Sequence, residues 1–107
     1  MGRNQRQIRR PMRRAPRVDI NHASVVKALR DAGASVVSLA GVAGGCPDLL
    51  VGFEGITHLI EIKHGKGKLN LIQSAWIRQW KGRKVAVIYT EKQALAVIAA
   101  PPKEGKK

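Results

Sequence analysis

Residues 48–63, DLLVGFEGITHLIEIK, constrain this chain more than any other stretch. Asp48–Phe53 and Thr57–Lys63 are short runs rich in β-branched and aliphatic side chains, and Glu54-Gly55 lies between them. Two such runs joined by a glycine-containing turn predict an antiparallel hairpin. Each run also carries one misplaced carboxylate. Asp48 follows Pro47 and opens an otherwise apolar strand; Glu61 interrupts His58-Leu59-Ile60-Glu61-Ile62-Lys63. In a strand, residues i and i+2 share a face, so Glu61 and Lys63 point together while Ile60 and Ile62 pack on the other side. A lone carboxylate at a core edge is costly to bury. Two carboxylates facing one cleft on neighbouring strands repel one another, and a divalent cation relieves this best. Hard oxygen donors with room for water suit Mg²⁺ or Mn²⁺ rather than Zn²⁺. On spacing alone, an Asp at a strand start and a Glu–Lys pair on a solvated face explain the residues equally well.

The rest of the chain builds outward from this hairpin. Residues 21–33, NHASVVKALRDAG, predict a helix capped by Asn21, striped by Val25, Val26, Leu29 and Ala32, and stopped by Gly33. Ser35–Leu39 predicts a strand, and Ala40–Cys46 a small-residue loop. His64–Lys68, HGKGK, is a basic loop without the spacing of a nucleotide-binding P-loop. A second helix is expected over 71–80, with Asn70 and Gln73 as a capping box, Ile72, Ala75, Trp76, Ile77 and Trp80 on its buried side, and Gly82 ending it. For the tryptophans, core packing or a dimer face is favoured over base stacking. Lys84–Tyr89 is nearly all apolar, which predicts a central strand. Thr90 and Gln93 repeat the capping-box pattern for a helix over 91–99, stopped by Pro101-Pro102. A strand–helix–strand crossover favours parallel pairing. The expected fold class is therefore α/β, a mixed four-stranded sheet flanked by helices.

Charge divides the chain into three parts. It has 107 residues and a net charge of +13. Residues 1–17 hold seven Arg and no acid, and with so few apolar side chains they are expected to be a disordered Arg-rich arm. Residues 18–100 form the expected domain, and 101–107 a basic tail. The stretch 18–102 carries only +4, so most of the excess lies in the tails. A polyanion is the expected partner, with Arg9, Arg10, Arg13 and Arg14 tethering phosphate backbones. A solubilising arm is the plainer alternative. No apolar run reaches the roughly 20 residues of a membrane span, and no apolar stretch follows the basic start as a secretory signal requires. Cys46 is the single cysteine, which leaves no internal disulfide and no structural zinc site built on cysteines. The expected setting is cytoplasmic, with no membrane partner.

Pro47-Asp48 followed after twelve residues by Glu61-Ile62-Lys63 resembles the PD-(D/E)xK nuclease signature. The wider string, Gly44-Gly45-Cys46-Pro47-Asp48-Leu49-Leu50-Val51-Gly52, Leu59–Lys63, Lys68-Leu69 and Gln73, is similar to the VRR-NUC branch of that superfamily, in particular the small stand-alone versions of phages and prophages. The resemblance covers about residues 19–98. It implies an αβββαβ restriction-endonuclease-like core in a bacterial host cell and metal-dependent hydrolysis of DNA phosphodiesters. Asp48 and Glu61 would be metal ligands together with the Ile62 carbonyl. Lys63 would orient or activate the attacking water, and Gln73 would hold the site from the following helix. Many relatives carry a Glu on the first helix; here that position is Ser24, which is neutral but able to hold a metal-bound water. His22 nearby is more readily a solvent-facing histidine than a ligand. Lys66, Lys68 and His64 are placed to meet a DNA phosphate, since glycine lets the loop approach closely. Some relatives cut four-way junctions as dimers, so structure-selective cleavage by a homodimer is expected. A non-catalytic nucleic-acid-binding module with a degenerate site, and a basic structural or ribosome-associated protein, are the competing readings.

Overall fold

A computed structural model describes residues 16–100, with side chains from residue 21 onward. Seven elements follow one another: α1 (Pro16–Asp31), β1 (Ser35–Ser38), β2 (Leu49–Phe53), β3 (Ile56–Ile62), α2 (Leu71–Gln79), β4 (Ala86–Ile88) and α3 (Glu91–Ala99). The strands form one mixed sheet in the order β1-β2-β3-β4. β1, β2 and β3 are antiparallel neighbours, and β4 runs parallel to β3. This is the expected α/β class, element for element.

The hairpin forms where the sequence places it. Phe53 pairs with Ile56, leaving Glu54 and Gly55 as a two-residue turn. Both have positive φ, 50° and 84°. That is the type I′ geometry, whose twist matches the flanking strands, and Gly55 takes it without a Cβ penalty. Pairing of Leu49 with Ile60 and of Val51 with His58 then fixes which side chains share a face. Leu49, Val51 and Ile60 are fully buried together with Val25 and Leu29 of α1, and Ile88, Ala94 and Ile98 complete this cluster from β4 and α3. One sheet face therefore packs on α1 and α3. Glu61, Leu59 and Leu50 fall on the other face.

Helix α1 starts earlier than expected. Asn21 lies inside it rather than at its cap, and Pro16 and Arg17, assigned above to the arm, are its first residues. Proline suits a first helical turn because its missing N–H has no intrahelical partner there. The remainder of the arm, with Arg9, Arg10, Arg13 and Arg14, lies outside the described residues, as do residues 101–107. Gly33 ends α1 as expected. Its N–H donates to the Arg30 carbonyl (2.9 Å), and Ala34 N–H to the Leu29 carbonyl (3.0 Å), at φ 102°. This pair of bonds is a Schellman closure.

Further expectations are corrected. β4 is the last strand of the order rather than a central one. Its apolar run reflects burial of Val85 and Ile88, while Val87 is exposed. Helix α2 buries no residue fully, and Ile72 and Trp80, assigned to its inner side, are 64% and 45% exposed. It lies at the polar face of the sheet, where Gln73 makes its hydrogen bonds to the strand residues and Ile72 abuts Gly45, and not over the apolar core. Trp76 and Trp80 stack on each other with centroids 4.9 Å apart and are not fully buried, which sets aside core packing but not a dimer face. Helix α2 is closed by Trp80 in extended conformation, before Gly82. At α3, Thr90 accepts from Gln93 N–H, but the Gln93 side chain accepts from Tyr89 N–H (2.6 Å), one residue before the position a capping box uses.

His58 lies on the core face, 3% exposed, and its Nε2 has no hydrogen-bond partner among the described residues. An unmade hydrogen bond in a buried position costs about 1–3 kcal/mol. Burial, and then the Arg83 charge, push its pKa down. The unfolded chain therefore binds a proton that the folded chain refuses, and stability falls as pH drops through the ordinary imidazole range. His58→Leu is expected to flatten that part of a melting-temperature-versus-pH curve. An unchanged slope in the variant would contradict this assignment.

Candidate metal and phosphodiester site

The hairpin register brings the two unusual carboxylates together. Leu49 pairs with Ile60 in the antiparallel β2–β3 ladder, so Asp48 and Glu61, the next residues outward, stand opposite one another. Both fall on the face away from the core. Directly opposed residues have Cβ atoms about 4.5–5.5 Å apart. The Asp48 carboxylate accepts the Ile62 N–H at 2.7 Å, which anchors the start of β2 to the end of β3. Glu61 is 3% exposed. Burial pushes its pKa up and the neighbouring Asp48 charge adds to this, with partial compensation from Lys63 and a backbone hydrogen bond from Asp48.

Lys63 and Gln73 close the constellation. Lys63 Nζ lies 3.4 Å from Glu61 Oε2 and donates to Gln73 Oε1 at 2.9 Å. Gln73 Nε2 donates to Glu61 Oε2, also at 2.9 Å. The glutamine thus holds the carboxylate by one end of its amide and the ammonium by the other. The same Oε1 accepts Asn70 N–H at 3.0 Å, while Asn70 Oδ1 accepts Gln73 N–H at 2.8 Å. Gln73 therefore serves both as the capping-box residue and as a site residue. The first turn of α2 is thereby fastened to Glu61 and Lys63.

The backbone around the pair is also fixed. Gly45 takes φ 90°, and a Cβ there would stand 2.7 Å from the Ile72 carbonyl oxygen and 2.9 Å from its Cγ2. The glycine-rich lead-in thus lies directly against the first turn of α2. Gly45→Ala is expected to destabilise the protein by about 1–3 kcal/mol through φ strain and this clash. Chemical denaturation checks this, and an unchanged midpoint would contradict it. Asn21 was not singled out as a site residue. From within α1 its Nδ2 donates to the Lys63 carbonyl at 3.3 Å, steadying the strand end that carries the ammonium. A helical asparagine gives no sequence signal for such a contact 42 residues away.

Ser24 is engaged by its own helix and by α3. Its hydroxyl donates to the Asn21 carbonyl at 3.0 Å, and it also lies beside Glu91, whose carboxyl it holds below the usual range. His22 Nε2 is buried without a hydrogen-bond partner among the described residues. His64, Lys66 and Lys68 are all exposed on the loop leaving β3. That loop turns through a Gly67 N–H to His64 carbonyl bond and is tied down by the Tyr89 hydroxyl on the Gly67 carbonyl, both 2.8 Å. Burial, followed by the Glu61 and Asp48 charges, pushes the Cys46 thiol up, so it stays protonated and is a poor nucleophile.

The donor set is oxygen only. Among the described residues no group of three or more His, Cys, Asp or Glu side chains gathers as a metal cluster. Asp48 and Glu61 offer two facing carboxylates, and burial together with the Asp48 charge raises the proton affinity of Glu61, an electrostatic condition that a hard divalent cation relieves. The residues fit such an ion if backbone carbonyl and water supply the remaining ligands. No family model matches the chain, and the searches of curated proteins and of solved structures return no match.

Proposed function

We propose that this protein is a Mg²⁺- or Mn²⁺-dependent DNA endonuclease that hydrolyses phosphodiester bonds, as its VRR-NUC-like motifs imply. The observation that carries the reading is the buried Glu61, set opposite Asp48 and joined to Lys63 through Gln73. A purely structural Glu–Lys pair on a solvated face needs neither the burial nor the second carboxylate. Asp48, Glu61 and the Ile62 carbonyl would hold the cation. The chemistry such a cation supplies when bound is polarisation of the phosphate and acidification of a water molecule.

The protein's own groups do the rest. Gln73 keeps the Lys63 ammonium beside Glu61 and away from bulk water. From there Lys63 orients the attacking water and stabilises the negative charge that builds on the phosphate oxygens. Asn21 and the Asp48–Ile62 hydrogen bond hold the strand end in place. His64, Lys66 and Lys68 meet flanking phosphates, and the Arg arm adds salt-sensitive affinity. The described fold has no long recognition element to read base edges, which favours structure-selective cutting of branched or junction DNA inside the bacterial cytoplasm. Leu71, Ile72 and Trp80 are exposed apolar residues on or beside α2, and they support a homodimer through that helix. No described helix is long and apolar enough to cross a membrane.

The alternative, a non-catalytic DNA-binding module, is favoured by one observation: Ser24 stands where an acid is expected and turns to Asn21 and Glu91. A panel of duplex, flap, single-stranded and four-way-junction DNAs with Mg²⁺, Mn²⁺ or EDTA separates the two. Cation-dependent cuts, strongest on branched substrates, are expected. Tight binding with no cleavage in either cation would establish the alternative.

A further inference from the structure

A concavity of about 1010 Å³ opens along β4, bounded by His58 and Leu59 of β3 and by Ala86, Val87 and Ile88 of β4 itself. His58 lies in its wall. The approach to β4 supplies Lys81, Arg83 and Lys84, and Val85 and Val97 contribute apolar surface, with Ala100 at the end of α3. Among the described residues no Asp or Glu lines it. His58 lies three residues from Glu61, about 10 Å along β3 and on the opposite face, while Val87, which pairs with Glu61, also lines the concavity, so the two sites are neighbours across the β3–β4 pair.

We propose that this pocket binds one nucleotide of a nucleic-acid strand, its base against the apolar wall and its phosphate on the cationic rim. The proposal rests on the nucleic-acid partner named above but not on cleavage. Three features select this occupant. The exposed Lys81 and Lys84 give the rim a positive charge complementary to a phosphate. The wall is largely aliphatic, which suits the flat face of a base. His58 Nε2 is buried beside it without a hydrogen-bond partner among the described residues, and a base edge offers the polar group it lacks once the side chain shifts to meet it. The tail at 103–107, KEGKK, carries the same sign of charge as the rim, so charge disfavours it as the occupant.

The test is imidazole NMR of the full-length chain, with the His58 resonances assigned by comparison with His58→Leu. A short single-stranded DNA is expected to shift them, deoxyadenosine monophosphate to shift them more weakly, and deoxyadenosine or inorganic phosphate alone to leave them nearly still. Lys81 and Lys84 are exposed, so Lys81→Glu/Lys84→Glu should fold and should weaken the His58-detected binding at least tenfold. The proposal is overturned by His58 resonances that stay unmoved under saturating DNA. Equal shifts from phosphate alone, unchanged affinity in the double variant, or contacts from His58 to tail protons in the free chain overturn it too. Shifts at His58 without cleavage would leave this pocket standing and remove the nuclease reading; cleavage with an unmoved His58 would do the reverse.

Discussion

Glu61→Gln should lower cation-dependent cleavage by about 10³-fold and, in the same protein, raise the melting temperature of the metal-free form. Both effects come from one placement. Glu61 is 3% exposed and faces a second carboxylate, so its charge is disfavoured in the folded chain and its pKa is raised. A carboxyl whose pKa is higher folded than unfolded stabilises the fold at low pH, and that contribution is lost as pH rises through the folded value. At neutral pH the metal-free protein therefore carries a carboxylate at a cost. The amide removes the charge and can still hydrogen-bond. Each kcal/mol recovered moves the midpoint by roughly 4–8 °C in a domain of this size, so a rise of several degrees is expected. It should shrink as the pH is lowered. Mg²⁺ or Mn²⁺ should raise the midpoint of the unaltered protein by mass action and leave that of Glu61→Gln nearly unchanged. Cleavage should fall by about 10³-fold, as expected for losing several kcal/mol of charge stabilisation. Thermal melts with and without cation, beside a cleavage assay, check both halves. A lowered midpoint in the variant would show that Glu61 is a structural ion-pair partner instead.

Lys63→Met should lower cleavage by about 10²–10³-fold while changing DNA affinity little. Removal of one preorganised donor from a charge-stabilising site has that magnitude. The side chain is only 17% exposed and is held by Gln73 and Glu61, so it is placed for the reacting phosphate more than for long-range attraction. The methionine stem keeps most of the packing. By contrast, Lys66→Gln or Lys68→Gln should weaken binding and reduce its salt slope by about 1 each, with cleavage at saturation largely kept. Single-turnover rates and anisotropy titrations separate the two patterns. Equal losses of binding and cleavage in Lys63→Met would make this lysine a plain phosphate contact.

What could be read in the sequence was what local physics decides. The two-residue turn, the glycine stop after α1 and the Asn70–Gln73 cap are each specified by a few neighbouring residues. The face shared by Glu61 and Lys63 follows from strand alternation. Their meeting with Asp48 followed once the hairpin was recognised, because register in a tight hairpin leaves one arrangement. What stayed hidden depends on distant partners. Nothing in Lys84–Tyr89 says whether another strand lies beyond it, so the apolar run suggested a central position for an edge strand. Helix α2 has the periodicity of a core helix, yet it lies against a polar site that only Gln73 touches through hydrogen bonds. Asn21 has the side chain of a cap, and the helix begins at Pro16, more than a turn sooner, leaving that side chain to hold the Lys63 carbonyl. Ser24 was matched to an acid by position, while its contacts run to Asn21 and Glu91.

The account stands on cation-dependent hydrolysis at the Asp48–Glu61 pair. It is tested most directly by comparing the unaltered protein with Asp48→Asn on one junction DNA in Mn²⁺, with EDTA as control. The unaltered protein should cut, EDTA should stop it, and the variant should bind the junction without cutting. Undiminished cutting by Asp48→Asn, or cutting that persists in EDTA, would contradict the account.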